Sequence, residues 1–187
     1  ARVELPSDRL FKGIDTVFFR TNWTDSSMVF AGFHGGKNNS NHGNLDVGTF
    51  VLDAEGERWF IDLGGDNYSL PDYFGSGRPN YYRMRAEGQN TVCVNPDTKP
   101  DQVQTARGRI TEYVSKPKGA YAIMDMKSAL SVLKVSEAQR GMLFTNNRRA
   151  VVVQDEITLL EPGEVWWFAH TQADIEVAPD GKSAILT

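Results

Sequence analysis

Cysteine is nearly absent from the chain. Cys93 stands alone among 187 residues, which excludes an internal disulfide and a thiolate metal cluster and leaves it as a small buried apolar residue within "NTVCVNP". No apolar run approaches the ~20 residues a membrane helix needs. The net charge of -4 is mild, so there is no electrostatic footprint for nucleic acid or an anionic membrane. The opening "ARVELPSDRL" has no apolar signal-peptide core, which a processed chain would also lack. No glycine-rich phosphate loop precedes a helix, no Ser or Cys sits in a nucleophile elbow, and no histidine pair has zinc-helix spacing. Those absences remove most common enzyme classes. No Pro or Ser linker, fixed repeat or low-complexity tract divides residues 1–187, so one domain is the simplest account.

What is present is alternation. Almost every apolar segment has period two and ends in Gly, Asn, Asp or Pro, the pattern of strands and tight turns. "VGTFVLDAEGERWFIDLG" predicts a hairpin about Ala54–Glu57, where Gly56 supplies a left-handed turn residue. "MLFTNNRRAVVVQDEITL" repeats the pattern about Asn146-Asn147, and "IEVAPDGKSAILT" about Asp180-Gly181. Further strands are predicted at Thr16–Arg20, Ser27–Phe33, Thr91–Val94, Val103–Val114 and Val165–His170. "AYAIMDMKSAL" fits a short helix or a strand. With ten Phe, six Tyr and four Trp to fill a core, the expected fold is all-β: an antiparallel β-sandwich of two large sheets. The chain stops inside the second arm of a hairpin, which predicts that the natural protein continues.

Three polar constellations interrupt the alternation. In "FHGGKNNSNHGNLDVGTF", His42, Asn44 and Asp46 stand two apart, and an extended chain starting near His42 would place them on one face. Asp62 lies on the returning arm of the first hairpin, where it would pair with Arg58 or a backbone amide, or reach the polar entrance formed by Asn44 and His42. In "PNYYRMRAEGQNTVCVNP", Tyr81, Arg83 and Arg85 alternate ahead of Gln89 and Asn90. Arginine and tyrosine suit an acidic sugar, because guanidinium pairs with carboxylate and phenol exchanges a proton; they also suit an ordinary sheet surface. His170, closing "EVWWFAH", reads as a half-buried strand cap.

Taken in order, "NHGNLDVGTFVLDAEGERWFIDLG", "YYRMRAEGQNTVCVNP" and "RRAVVVQDEI" resemble the C-terminal β-sandwich of heparinase II/III-like polysaccharide lyases, relatives of which also cleave alginate. The resemblance implies a preceding α/α toroid, a cleft between the two parts for an acidic polysaccharide, and a periplasmic or secreted protein. The family pattern His-x-His-x-Asp-x-Gly-[Ser/Thr]-Phe becomes His42-x-Asn44-x-Asp46-x-Gly48-Thr49-Phe50. By resemblance, His42 transfers a proton or faces the substrate carboxylate. The metal-ligand positions fall on Asn44, Asp62 and Gln89. With two imidazoles replaced by carboxamides, zinc loses its nitrogen donors; the remaining oxygen set suits either calcium or a hydrogen-bonded cluster with no ion.

β-Elimination at a uronic acid needs neutralisation of the carboxylate, a base for the C5 proton and an acid for the departing O4. By the resemblance, His42 and Tyr73 are the catalytic candidates, with Tyr68 and Tyr82 behind Tyr73, while Arg83 and Arg85 bind the acidic chain. Two other readings stay open: a non-catalytic carbohydrate-binding sandwich and a structural accessory domain.

Overall fold

The computed structural model describes residues 5–96, 100–131 and 135–187. Two five-stranded antiparallel sheets face one another. The first runs β1 (Arg9–Phe11), β2 (Thr16–Arg20), β3 (Val29–His34), β5 (Phe50–Ala54), β6 (Glu57–Phe60). The second runs β11 (Ala150–Leu159), β10 (Val135–Thr145), β9 (Gly119–Asp125), β8 (Arg107–Lys116), β4 (Gly36–Lys37). β3 and β4 are one stretch of chain that changes sheets at Gly35, where an added Cβ would lie 2.9 Å from the Gly108 carbonyl oxygen. Gly36 follows in the left-handed region, at φ +74°, so the corner depends on both glycines.

The core follows from the alternation. β9 turns Ala120, Ala122 and Met124 inward and β10 turns in Ala138, Met142 and Phe144, against Val17 and Phe19 of β2 and Ala31 and Phe33 of β3. Small alanines on β9 leave room for the rings opposite, and Phe19 stacks on Phe144 at 6.3 Å. Burying one such ring contributes about 1.5–3 kcal/mol. The fully buried Arg140 guanidinium, paired with Asp155, shares this interior.

The hairpins form where the turn residues predicted them. Glu55-Gly56 takes φ values of +55° and +83° between β5 and β6, and Asn146, Asn147 and Arg148 are all left-handed between β10 and β11. "AYAIMDMKSAL" divides into strand β9 and a single helical turn, α1 (Lys127–Leu130). The Val103–Val114 expectation is trimmed to β8, which begins at Arg107.

Two expectations about the polar entrance are corrected. No strand begins near His42; β5 starts at Phe50, because His42 is left-handed at φ +60° and the Leu45 amide leaves any ladder to bond the Met84 carbonyl. β6 likewise stops at Phe60, before Asp62. There the Ile61 amide turns away to the carbonyl of His170, and the Ile61 carbonyl accepts from Asn90 Nδ2 at 2.8 Å.

Behind these loops, β7 (Val92–Val94) pairs with β12 (Val165–Trp167), and β13 (Ile175–Val177) pairs with β14 (Ala184–Leu186). Between β6 and β7 lie three short 3₁₀ turns, Arg78–Asn80, Tyr82–Met84 and Ala86–Gly88. They carry most of the polar residues considered next.

Candidate functional site

The asparagine-rich loop is anchored from beneath by buried carboxamides. Asn38 donates to Gln102 Oε1 at 3.1 Å and to the Val103 carbonyl at 2.9 Å, and its own oxygen accepts the Asp46 amide. Gln102 in turn holds both backbone groups of Val47. Each buried polar group therefore finds a partner inside the loop's base, which fixes its path. The Ser40 and Gly43 amides close two successive turns, on Lys37 and Ser40, and His42 stands exposed at the tip.

Arg78 grips that tip from the other side. Its Nε donates to the Gly43 carbonyl at 3.2 Å, and its Nη2 reaches the His42 carbonyl at 3.2 Å and Asn44 Oδ1 at 3.1 Å. The guanidinium also lies over the Tyr73 ring, 4.7 Å from its centroid, a cation–π contact. Between the loop and the Phe74–Met84 segment opens a cleft of about 440 Å3, lined by Asn41, His42, Asn44, Phe74 and Arg78 among others. Its wall combines carboxamides, an imidazole and the exposed Phe74 ring, polar groups beside an apolar one.

Tyr73 is placed beneath this cleft. It is 2% exposed; its hydroxyl accepts the Asp66 amide at 3.1 Å and donates to Met84 Sδ at 3.2 Å. Its ring packs against Tyr68, Phe74 and Tyr81. The phenol expected to act as an acid or base is thus a packing group supporting Arg78, with both of its hydrogen-bonding directions used inside the fold.

The two arginines expected on the acidic chain differ. Arg83 is exposed, and it donates to the Leu63 and Gly65 carbonyls at 2.6 and 3.3 Å. Arg85 is buried and ion-paired to Asp101 at 3.3 Å and Glu87 at 3.0 Å. These two carboxylates balance its charge within the domain, and Asp101 also accepts the Ala86 and Glu87 amides. The alternation of Arg83 with Arg85 is broken by the 3₁₀ turns, which send the two side chains to different surroundings.

Asn44, Asp62 and Gln89 all border the Tyr82–Met84 turn. Leu45, next to Asn44, bonds Met84; Leu63, next to Asp62, accepts from Arg83; and Gln89 Nε2 donates to the Arg83 carbonyl at 2.8 Å. As a metal cage the set fits poorly. Asn44 Oδ1 is already held by Arg78, a fixed cation, and Asp62 is exposed with Oδ1 on the Gly64 amide. Only Gln89 Oε1 is buried without a hydrogen-bond donor. Among the described residues no three His, Cys, Asp or Glu side chains converge on an ion position.

The electrostatics concentrate on Asp46. Burial first, then the nearby charge of Asp62, pushes its carboxyl up to about 7, since a shielded carboxylate beside another is costly to ionise. His34 Nε2 lies 3.9 Å from Asp46 Oδ1 and its Nδ1 lies 2.7 Å from Thr16 Oγ1. Burial pulls the His34 imidazole below its ordinary range, although Asp15 opposes this.

One cluster was not foreseen as a unit. Tyr82, half exposed, places its hydroxyl 3.1 Å from His170 Nε2, and His170 Nδ1 lies 3.1 Å from Asn90 Oδ1. In sequence the parts lie 88 residues apart, Tyr82 as a secondary candidate and His170 as a strand cap. Their only local signal is polarity beside the apolar "VWWFA" and "TVCV" runs.

The sequence profile described as Heparinase II/III-like, C-terminal, matches residues 20–187. No curated protein matches. A heparan sulfate lyase HepC mutant from Pedobacter heparinus superposes with a TM-score of 0.77 at 16% identity, over 95% of this chain and 26% of that one. A heparinase III gene product gives 0.77 at 19% identity over 95% and 26%, and a further heparinase III gives 0.73 at 17% over 96% and 27%. At these identities the likeness speaks for the fold, and the chain spans about a quarter of the length of these solved relatives. With the profile covering most of its length, on a sandwich that superposes on theirs, the chain belongs to the heparinase II/III-like family as its C-terminal domain.

Proposed function

We propose that this chain is the sandwich part of a polysaccharide lyase that cleaves uronic-acid glycans by β-elimination, working against an N-terminal α/α toroid in a periplasmic or secreted protein. The observation that carries this reading is the anchored loop presenting His42 over the cleft. Proton transfer needs a group held within hydrogen-bond reach of the reacting centre, and a rigid base beneath an exposed imidazole supplies that placement. His42 takes the C5 proton or meets the uronate carboxylate, while the carboxamides of Asn41 and Asn44 line the path of the sugar chain. Arg83 is the exposed cation for the acidic chain; Arg85, being internally paired, holds the turn that carries it.

Because the Asn44, Asp62 and Gln89 set fits an ion poorly, no step here depends on one. A second reading, a carbohydrate-binding surface without catalysis, is favoured by the carboxamide lining of the cleft.

The test is His42→Asn in the protein with the rest of its natural chain, since asparagine tolerates the left-handed backbone there. Release of unsaturated uronate from heparan sulfate or alginate should drop roughly a hundredfold or more, with the unfolding transition unmoved. Unchanged release would sink the assignment of His42. Binding of either glycan with no release by the unmodified protein would favour the second reading.

A further inference from the structure

We propose that Tyr82 and His170 form a proton-transfer pair on this domain in addition to His42, with the Tyr82 phenol meeting the uronate and His170 receiving its proton. This rests on the lyase reading above and adds a catalytic group to it. The geometry fixes the protonation pattern without reference to any relative. Asn90 Nδ2 donates to the Phe50 and Ile61 carbonyls at 2.7 and 2.8 Å, so its amide cannot be flipped and Oδ1 must be the acceptor facing His170. His170 Nδ1 therefore carries the hydrogen, and in the neutral ring Nε2 is left as a lone pair. That lone pair is what the Tyr82 hydroxyl faces at 3.1 Å.

The surroundings keep the pair ready. His170 is clamped along its backbone as well, its amide on Asn90 Oδ1 at 2.6 Å and its carbonyl on the Ile61 amide at 2.9 Å. Burial holds the imidazole below its ordinary range, hence neutral, while Asp62 and the Glu87 backbone favour the charged form once a proton arrives. Around the phenol, burial first and then Glu87 and Cys93 push its pKa above the ordinary tyrosine value, against Arg85, so the hydroxyl keeps its proton. Gly88 lets the turns close, since a Cβ there would fall 2.0 Å from the Tyr82 carbonyl oxygen.

The step balances. With His42 meeting the uronate carboxylate, Tyr82 Oη takes the C5 proton as its own proton passes to His170 Nε2. The C5–H electron pair becomes the C4–C5 double bond, and the C4–O4 bond breaks with its pair on O4. The proton on His170 then returns through Tyr82 to O4, restoring both residues. His170 and Asn90 act through Tyr82, His170 as proton acceptor and Asn90 as a positioning residue.

Two measurements test the pair, with heparan sulfate and alginate as probes and the protein carrying its full natural chain. Tyr82→Phe and His170→Gln should each lower kcat about a hundredfold with KM little changed, and the double variant should be no slower than either single one. By NMR, the His170 imidazole should titrate at higher pH in Tyr82→Phe, because the neutral ring has lost the donor that stabilised it. Retention of kcat within about threefold in Tyr82→Phe, against the hundredfold norm, overturns the proposal, and so does an unmoved His170 titration. If the unmodified protein releases no unsaturated uronate from either glycan, the lyase reading fails and the catalytic role of Tyr82 falls with it. An active parent with an active Tyr82→Phe variant removes the pair alone.

Discussion

Arg140 meets Asp155 through two hydrogen bonds of 2.6 and 2.8 Å, and its third nitrogen reaches across the sandwich to the Gly48 and Asn90 carbonyls at 2.8 and 3.0 Å. A fully buried guanidinium thus joins strands β10 and β11 to the two loops that frame the site. Arg140→Met should destabilise the fold by about 3–5 kcal/mol, because Asp155 is left without its partner charge. Adding Asp155→Leu should recover part of that loss. Denaturant unfolding measures both, and a single-variant loss below about 1 kcal/mol would contradict the buried-pair account.

Arg78 makes a different forecast. Arg78→Lys keeps the charge but cannot bridge three acceptors with a planar fork, so the loop tip should loosen while the core stays intact. Amide hydrogen exchange at residues 40–45 should quicken, and global stability should change by no more than about 1 kcal/mol. If the proposed lyase activity holds, turnover should fall more than KM rises, since His42 is displaced rather than the binding surface removed. Unchanged exchange at Gly43 would show that Arg78 does not hold the tip.

Tyr73→Phe separates packing from chemistry. The ring contacts survive, but the half-buried Asp66 amide loses its acceptor, which should cost about 1 kcal/mol. Turnover should remain near that of the parent. A hundredfold loss of turnover in a fully folded Tyr73→Phe variant would return this phenol to the catalytic group.

Asp46 sets a pH dependence of stability. Its carboxyl titrates near 3.8 when free and at about 7 in the fold, so between those values the folded chain keeps a proton that the unfolded chain releases. Stability from this group is complete below about pH 4 and declines through pH 7, by at most about 4 kcal/mol. Asp46→Asn should flatten that decline and stabilise the protein at pH 8. Thermal unfolding from pH 4 to 8 decides it; an unaltered slope in the variant would place the titration elsewhere.

The hairpins were legible because their causes are local: Glu55-Gly56 and Asn146-Asn147 supply left-handed turn residues within a few positions of the strands they join. The site was legible only in its parts. Asn38 reaches Gln102 across 64 residues, Arg78 reaches His42 across 36, and Tyr82 reaches His170 across 88. No periodicity in sequence encodes such pairings. The motif singles out His42, but its left-handed backbone departs from the extended chain that its spacing suggested, since two turns and a guanidinium shape the tip. The burial of Tyr73 was not legible because loop position implies exposure, whereas three neighbouring aromatic rings cover it.

The passage of β3 into β4 at Gly35 means that the two sheets share a single ribbon. Its upstream part is in register with β2 and β5, His34 opposite Thr16 and Phe33 opposite Phe50, while two residues later Gly36 sits opposite Gly108 of β8. A slip of one residue in the first sheet would carry Lys37 into the place of Gly36 and turn every side chain of β3 to the wrong face. Neither sheet can therefore shear without the other. Length changes between Phe33 and Lys37 should be among the least tolerated in the molecule.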